Sequence, residues 1–268
     1  MQLTFLGLAI GAAGSLAAAD ASVAAAAPIQ LKVGDLDAAR LHPYVSKWRV
    51  VEIAPDGTAK EVQRSFDQLA RVRLDGRLVW RQHQYEIPSG GSFDGNSDLR
   101  TFAPIDAYER AADGGYRKLR YEPSVVHLEC RGSRCPPDLR DGAVHRRDIQ
   151  TDVATFDYWG GTYGLLFAAL PLKVGKSFLV PVFHPARGLI ELRVDVESRE
   201  TIEVANGARI KAYRLRTPLT GWIYHLTDKP PYWVRLEYKR PDGSTQITER
   251  IDARVERDSS PLMGGVRT

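Results

Sequence analysis

From Trp48 to Arg254 the chain runs in short stretches of alternating apolar and polar residues, each closed by a turn signal. Side chains on a strand change face at every residue, so a period of two marks a half-buried strand. In the first half the pattern predicts strands over Trp48–Ile53, Lys60–Leu69, Ala70–Leu74, Arg77–Ile87, Leu99–Phe102, Ala107–Ala111, Tyr116–Tyr121 and Ser124–Leu128. In the second half it predicts Lys176–Phe183, Leu189–Val196, Thr201–Val204, Ala208–Thr217, Gly221–Leu226, Tyr232–Lys239 and Ser244–Arg254. The turns between them hold Pro55-Asp56-Gly57, Asp75-Gly76, Asp113-Gly114-Gly115, Asn206-Gly207 and Asp242-Gly243. Asp-Gly and Asn-Gly suit tight type I′ hairpins, whose two central residues take positive φ. Pro88–Ser97, rich in Gly, Ser and Asn, reads as a loop, and Leu139–Arg147, where arginines and aspartates mix, as a solvated one.

Two segments depart from this grammar. A short lead-in around Asp35–Leu41 reads as a helix. Asp157–Leu170 is the most apolar stretch beyond the N-terminus, carries no β-branched run and ends at Pro171. It predicts a short helix, hydrophobic nearly all round and therefore buried, capping an open sheet or barrel mouth. The expected fold is mainly β: an antiparallel meander forming a curved sheet, open barrel or sandwich around that one helix.

The N-terminus alters the picture of where the protein works. Leu3–Ala19 is apolar or small without one charged side chain, and small residues follow at Ala24–Ala27. This predicts a signal peptide over residues 1–27, cleaved after Ala19 or Ala27, although no Lys or Arg lies near Met1. A membrane anchor fits less well, because the stretch is short, rich in Ala and Gly, and has no basic flank. Residues 28–256 then form a single β domain or two β halves, 44–150 and 151–256, and 257–268 a disordered tail. A mature chain of roughly 240 residues is an ordinary size for one β domain. Export to the periplasm agrees with Cys130 and Cys135, which flank a four-residue loop and should form a structural disulfide in an oxidising compartment. Nothing else in the chain supports a redox or zinc pair.

Net charge is +4, with 37 Lys and Arg against 33 Asp and Glu, well mixed along the chain. Nucleic-acid binding normally needs basic residues clustered on one face, so it is not expected. Weak contact with an anionic envelope surface requires only a positive patch.

In the second half, Leu170-Pro171-Leu172-Lys173-Val174-Gly175 precedes a strand, a run from Val194 to Glu203 leads to Asn206-Gly207, and Trp222-Ile-Tyr, Pro230-Pro231-Tyr232-Trp233 and Asp242-Gly243 follow. In this order the chain resembles the bacterial periplasmic proteins grouped as domain of unknown function 3108, over about 150–252 and more loosely back to Tyr44. The resemblance implies an envelope location and a largely antiparallel β fold. It implies no activity.

Candidate chemistry is sparse. There is no nucleophile elbow, phosphate loop, His-Glu-x-x-His or calcium loop. His42, His83, His127, His145, His184 and His225 are scattered, so no metal site and no cofactor are expected. Most Asp residues sit at turns, where they organise backbone. The aromatic set Trp159, Tyr163, Trp222, Tyr224 and Tyr232, with Trp233, gathers near the apolar segment and the last strands. Such side chains pair an apolar body with a polar edge and could line a site for a hydrophobic, amphipathic or glycan ligand; they equally suit core packing. Alternation places Trp222, Tyr224 and Leu226 on one face and Ile223 and His225 on the other. The expectation is a non-catalytic envelope protein that binds such a ligand inside the sheet, with 157–170 as a lid and no assigned catalytic residue. The alternative is an envelope glycan or peptide hydrolase, in which at least two of Asp67, Asp106, His184 and His225 meet in a cleft. The oligomeric state is left open.

Overall fold

The computed structural model describes residues 27–158 and 164–255. The predicted signal peptide up to residue 26, the tail from 257 onward and two aromatic candidates, Trp159 and Tyr163, lie outside the described residues. Sixteen strands join one large mixed sheet that does not close into a barrel. In chain order they are β1 (Ile29–Gln30), β2 (Tyr44–Ile53), β3 (Ala59–Leu74), β4 (Arg77–Ile87), β5 (Ser92–Asp98), β6 (Pro104–Arg110), β7 (Tyr116–Tyr121), β8 (Val125–Arg131), β9 (Val144–Gln150) and β10 (Phe156–Asp157). After helix α1 (Leu165–Ala168) come β11 (Ser177–His184), β12 (Gly188–Glu203), β13 (Arg209–Thr217), β14 (Trp222–Leu226), β15 (Trp233–Lys239) and β16 (Thr245–Val255). The meander runs from β11 to β16, passes to β2 through the antiparallel β16–β2 pair, and continues to β9. Two short parallel strands, β1 and β10, share the outer edge of β11.

The sheet curls round the predicted apolar segment. Leu165, Leu166, Phe167, Ala168, Ala169 and Leu170 are all buried. They pack among Trp48, Leu69, Trp80, Phe178, Val180, Val182, Leu192, Val194, Leu215 and Trp233, the inward residues of β2–β4 and β11–β15. Trp48 and Trp233 stack at 3.8 Å, and Tyr224 meets Phe167 edge to face at 5.0 Å. So short a helix cannot be stable alone. Its exposed carbonyls are answered from outside: Arg40 donates to the Ala168 oxygen at 2.7 Å and to that of Leu170 at 2.5 Å. A cation there also complements the helix dipole.

Strand parity shows that the curl overlaps itself. Phe178, Val180 and Val182 face this first core, whereas Phe183 points the opposite way, into a second core with Phe93, Leu119, Val126, Leu128 and the disulfide. The inner face of β5–β8 therefore covers the back of β11. Cys130 and Cys135 are bonded, and their loop holds Arg134 2.8 Å from the buried Glu109, which also pairs with Arg117.

Only one tight turn has the expected type I′ form. Asp75 and Gly76 both take positive φ, 47° and 81°. The other four are three-residue loops that end in a Gly bulge. In each, the glycine N–H donates to the residue three back: Gly57 to Ala54, Gly114 to Ala111, Gly207 to Val204 and Gly243 to Arg240. In each, the Asp or Asn side chain accepts the N–H two residues on, from Thr58, Gly115, Ala208 or Ser244. These backbone bonds, preceded at Asp242 by the larger pull of the Ser244 hydroxyl, favour the ionised carboxylates and hold Asp56, Asp113 and Asp242 below their ordinary pKa. At Gly207 (φ 78°) a methyl would touch nothing, so only the left-handed backbone resists substitution. Gly207→Ala is therefore expected to lower stability by about 1–2 kcal/mol, read from thermal unfolding. An unchanged midpoint would mean that the loop relaxes without strain.

The remaining differences have local causes. The stretch read as the loop Pro88–Ser97 contains β5, because neighbours on both sides supply its ladder. Gly95 is required there: a Cβ would lie 2.9 Å from the Phe93 ring. Leu99–Phe102 is a turn, gathered by Asp98, whose carboxylate accepts from Arg100 N, Thr101 N and the Thr101 hydroxyl. The solvated stretch up to Arg147 runs into edge strand β9, bonded only to β8. Leu189–Val196 and Thr201–Val204 are one strand, β12, bent by a bulge between Val196 and Ser198. The lead-in helix is a single tight turn over Ala38–Arg40.

Candidate functional site

The interior was the expected place for a ligand, and its described side chains are closely packed. Trp222, Tyr224 and Leu226 do share the inward face, with His225 behind them. Tyr224 is 1% exposed beneath Phe167. Tyr232 is 4% exposed, and its hydroxyl accepts the His42 N–H at 2.7 Å. Trp222 is half-buried and stacked on Tyr238 at 4.8 Å. Each aromatic ring is engaged in packing. A small void in this core, among Leu69, Trp80, Gln82, Phe93, Gly95, Ser97 and Phe102, measures about 20 Å³, room for roughly one water molecule.

Beside this void lies a buried acid. Asp67 on β3 is 1% exposed; it accepts the Tyr44 hydroxyl at 2.6 Å and Gln82 Nε2 at 3.3 Å. Burial pushes its carboxyl up to about 6, against the pull of those two donors and of His83. A second such contact joins Tyr121 to Asp157, and burial with that neighbouring carboxyl raises the phenol well above its ordinary value.

The four residues of the hydrolase reading do not assemble. Asp106 is on the outer face of β6, bonded by Asn96 at 2.5 Å. His225 is on the outer face of β14, its ring nitrogens 3.3 Å from Glu200 and 3.2 Å from Glu237. His184, at the end of β11, packs edge-on against Tyr158 and accepts the Ala186 N–H at Nδ1. Burial and the nearby Arg187 and Arg117 hold its pKa below the ordinary value. Three other histidines each meet an aspartate, His83 with Asp94, His127 with Asp148 and His145 with Asp141. Among the described residues none of these pairs has a hydroxyl or thiol hydrogen-bonded to its histidine. No group of three His, Cys, Asp or Glu among them could hold a metal ion.

A concave space of ligand size, larger than the polar one of about 310 Å³ beside Asp37, Asp98 and Arg100, is at the seam, where β11 lacks the partner that would close a barrel. β1 covers its edge at Phe178–Leu179 and β10 at Val182–Phe183, leaving Val180–Pro181 between them. There Leu31, Val33, Val153, Ala154, Pro181, Leu189 and Ile190 line a groove of about 550 Å³, within the usual range for small-molecule sites. Val153 is 48% exposed and Leu189 37%. Its polar members are Gln30, Lys32 and Glu191, with Gln30 Nε2 donating to Glu191 at 3.0 Å. None of the aromatic candidates among the described residues lies in it. Sequence reading missed the groove because single exposed apolar residues in link segments carry no local signal.

The fold defines a class: a self-overlapping, mainly antiparallel β sheet, disulfide-bonded, filled by a short apolar helix and carrying an open apolar groove at its seam. The chain belongs to the family described as protein of unknown function (DUF3108), which matches residues 44–249. No curated protein matches it. Among the described residues, no helix is long and apolar enough to cross a membrane.

Proposed function

We propose that the protein is an exported, periplasmic, non-catalytic binding protein that takes a hydrophobic or amphipathic small molecule in the seam groove rather than inside the sheet. The observation that carries this reading is the groove itself: about 550 Å³, walled by aliphatic side chains of which Val153 and Leu189 are exposed. Apolar surface grouped in a concavity is a costly feature unless something covers it. The leader and the disulfide support the compartment.

Dodecyl maltoside, an uncharged single-chain amphiphile, is a direct probe below its micellar concentration. Native mass spectrometry and calorimetry should show saturable one-to-one binding. Leu189→Glu and Val153→Glu put charges on exposed positions of the wall, so the fold should survive while affinity falls about tenfold or more, since burying an unpaired carboxylate against an alkyl chain is strongly unfavourable. Binding that both variants leave unchanged would remove the groove from consideration.

A further inference from the structure

The groove's charges are sparse and of both signs. Lys32, just beyond β1, has no ion pair among the described residues. Glu191 on β12 accepts from the neutral amide of Gln30 and has no ion pair among the described residues. The strand β11 separates the two walls, which places their backbones about 10 Å apart at ordinary strand spacing. Between them the floor is aliphatic and includes Pro181, which has no N–H to offer. An extended peptide would add here by main-chain pairing to β11, but the proline removes a donor and β1 and β10 already occupy either side. An alkyl chain needs no such bonds.

Building on the groove as the ligand site, we propose that its occupant is a zwitterionic single-chain amphiphile. The aliphatic floor takes the chain, Lys32 faces the anionic group and Glu191 faces the ammonium. A monoacyl phosphoethanolamine has this chemistry. A simple fatty acid would meet Lys32 but be repelled by Glu191, and an alkylammonium the reverse.

The test compares four probes of matched chain length by calorimetry on the full protein: a monoacyl phosphoethanolamine, a fatty acid, an alkylammonium and an alkyl maltoside. Exposed ion pairs contribute modestly, so the zwitterion should bind about fivefold more tightly than either singly charged probe. Lys32→Glu should weaken the zwitterion and strengthen the alkylammonium, Glu191→Lys should favour the fatty acid, and the double exchange Lys32→Glu/Glu191→Lys should restore the zwitterion with its head reversed. If all four bind within twofold of each other, and the charge variants change nothing, the head-group assignment is wrong while the groove remains a site. If no probe binds, the groove reading itself falls, and this inference with it.

Discussion

Asp67→Asn is expected to resist urea better than the native sequence at pH 8 and to differ little from it at pH 4. The reason is linkage. The Asp67 carboxyl titrates near 6 in the folded protein, against about 4 in an unfolded chain. Between those values the native state holds the proton more tightly than the unfolded state, so stability falls as pH rises through that window. Two units correspond to about 3 kcal/mol, fully felt above pH 7 and absent below pH 4. Asparagine removes the ionisation while its carbonyl still accepts from Tyr44. Imperfect replacement of the Gln82 bond leaves an expected gain of about 2 kcal/mol at pH 8. Because the comparison is a difference between two proteins at each pH, the many exposed carboxylates cancel. If Asp67→Asn were destabilising by the same amount at both pH values, Asp67 would be a fixed structural anion rather than a buried acid near its midpoint.

The other large effect concerns the segment that fills the sheet. Phe167→Ala should cost about 4 kcal/mol, because the ring is fully buried and packs edge to face against Tyr224. Urea unfolding at neutral pH measures it. A loss under about 1 kcal/mol would mean that the 164–170 segment does not pack as the plug of the curl. The same variant bears on the ligand: opening the interior should not change binding of an amphiphile held at the seam, since Phe167 does not line that groove.

These two positions also show how much was legible beforehand. The buried helix could be read because its residues are apolar without β-branching, though the described helix spans only Leu165–Ala168 and not the whole of 157–170, Asp157 pairing instead in β10 along the open edge of β11. Arg77–Ile87 could be read because one buried face against one solvated face leaves a strict alternation. β5 could not, since Asp94 and Asn96 find partners across the outer face while Gly95 must be small against the Phe93 ring, so no alternation of apolar and polar residues survives. β9 failed for a related reason: an edge strand exposed over most of its length has no apolar face to declare. The parallel strands β1 and β10 are two residues each and exist only because β11 presents an unpaired edge. Asp67 could be read only as an acid within the strand Lys60–Leu69 and a candidate for catalysis, and its raised pKa comes from burial among the residues packed around it.

By itself the sequence determined the β character, most strand limits, the places of the hairpin turns, the disulfide and the buried helix, because each rests on contacts between residues close in the chain or on the period of burial. Tertiary structure alone decided that Tyr224 and Tyr232 are buried, that the sheet overlaps without closing, and that an apolar groove lies at the seam. That groove draws on residues 30–33, 153–154 and 181–191; they become neighbours only when the sheet curls, so no local pattern could place them together.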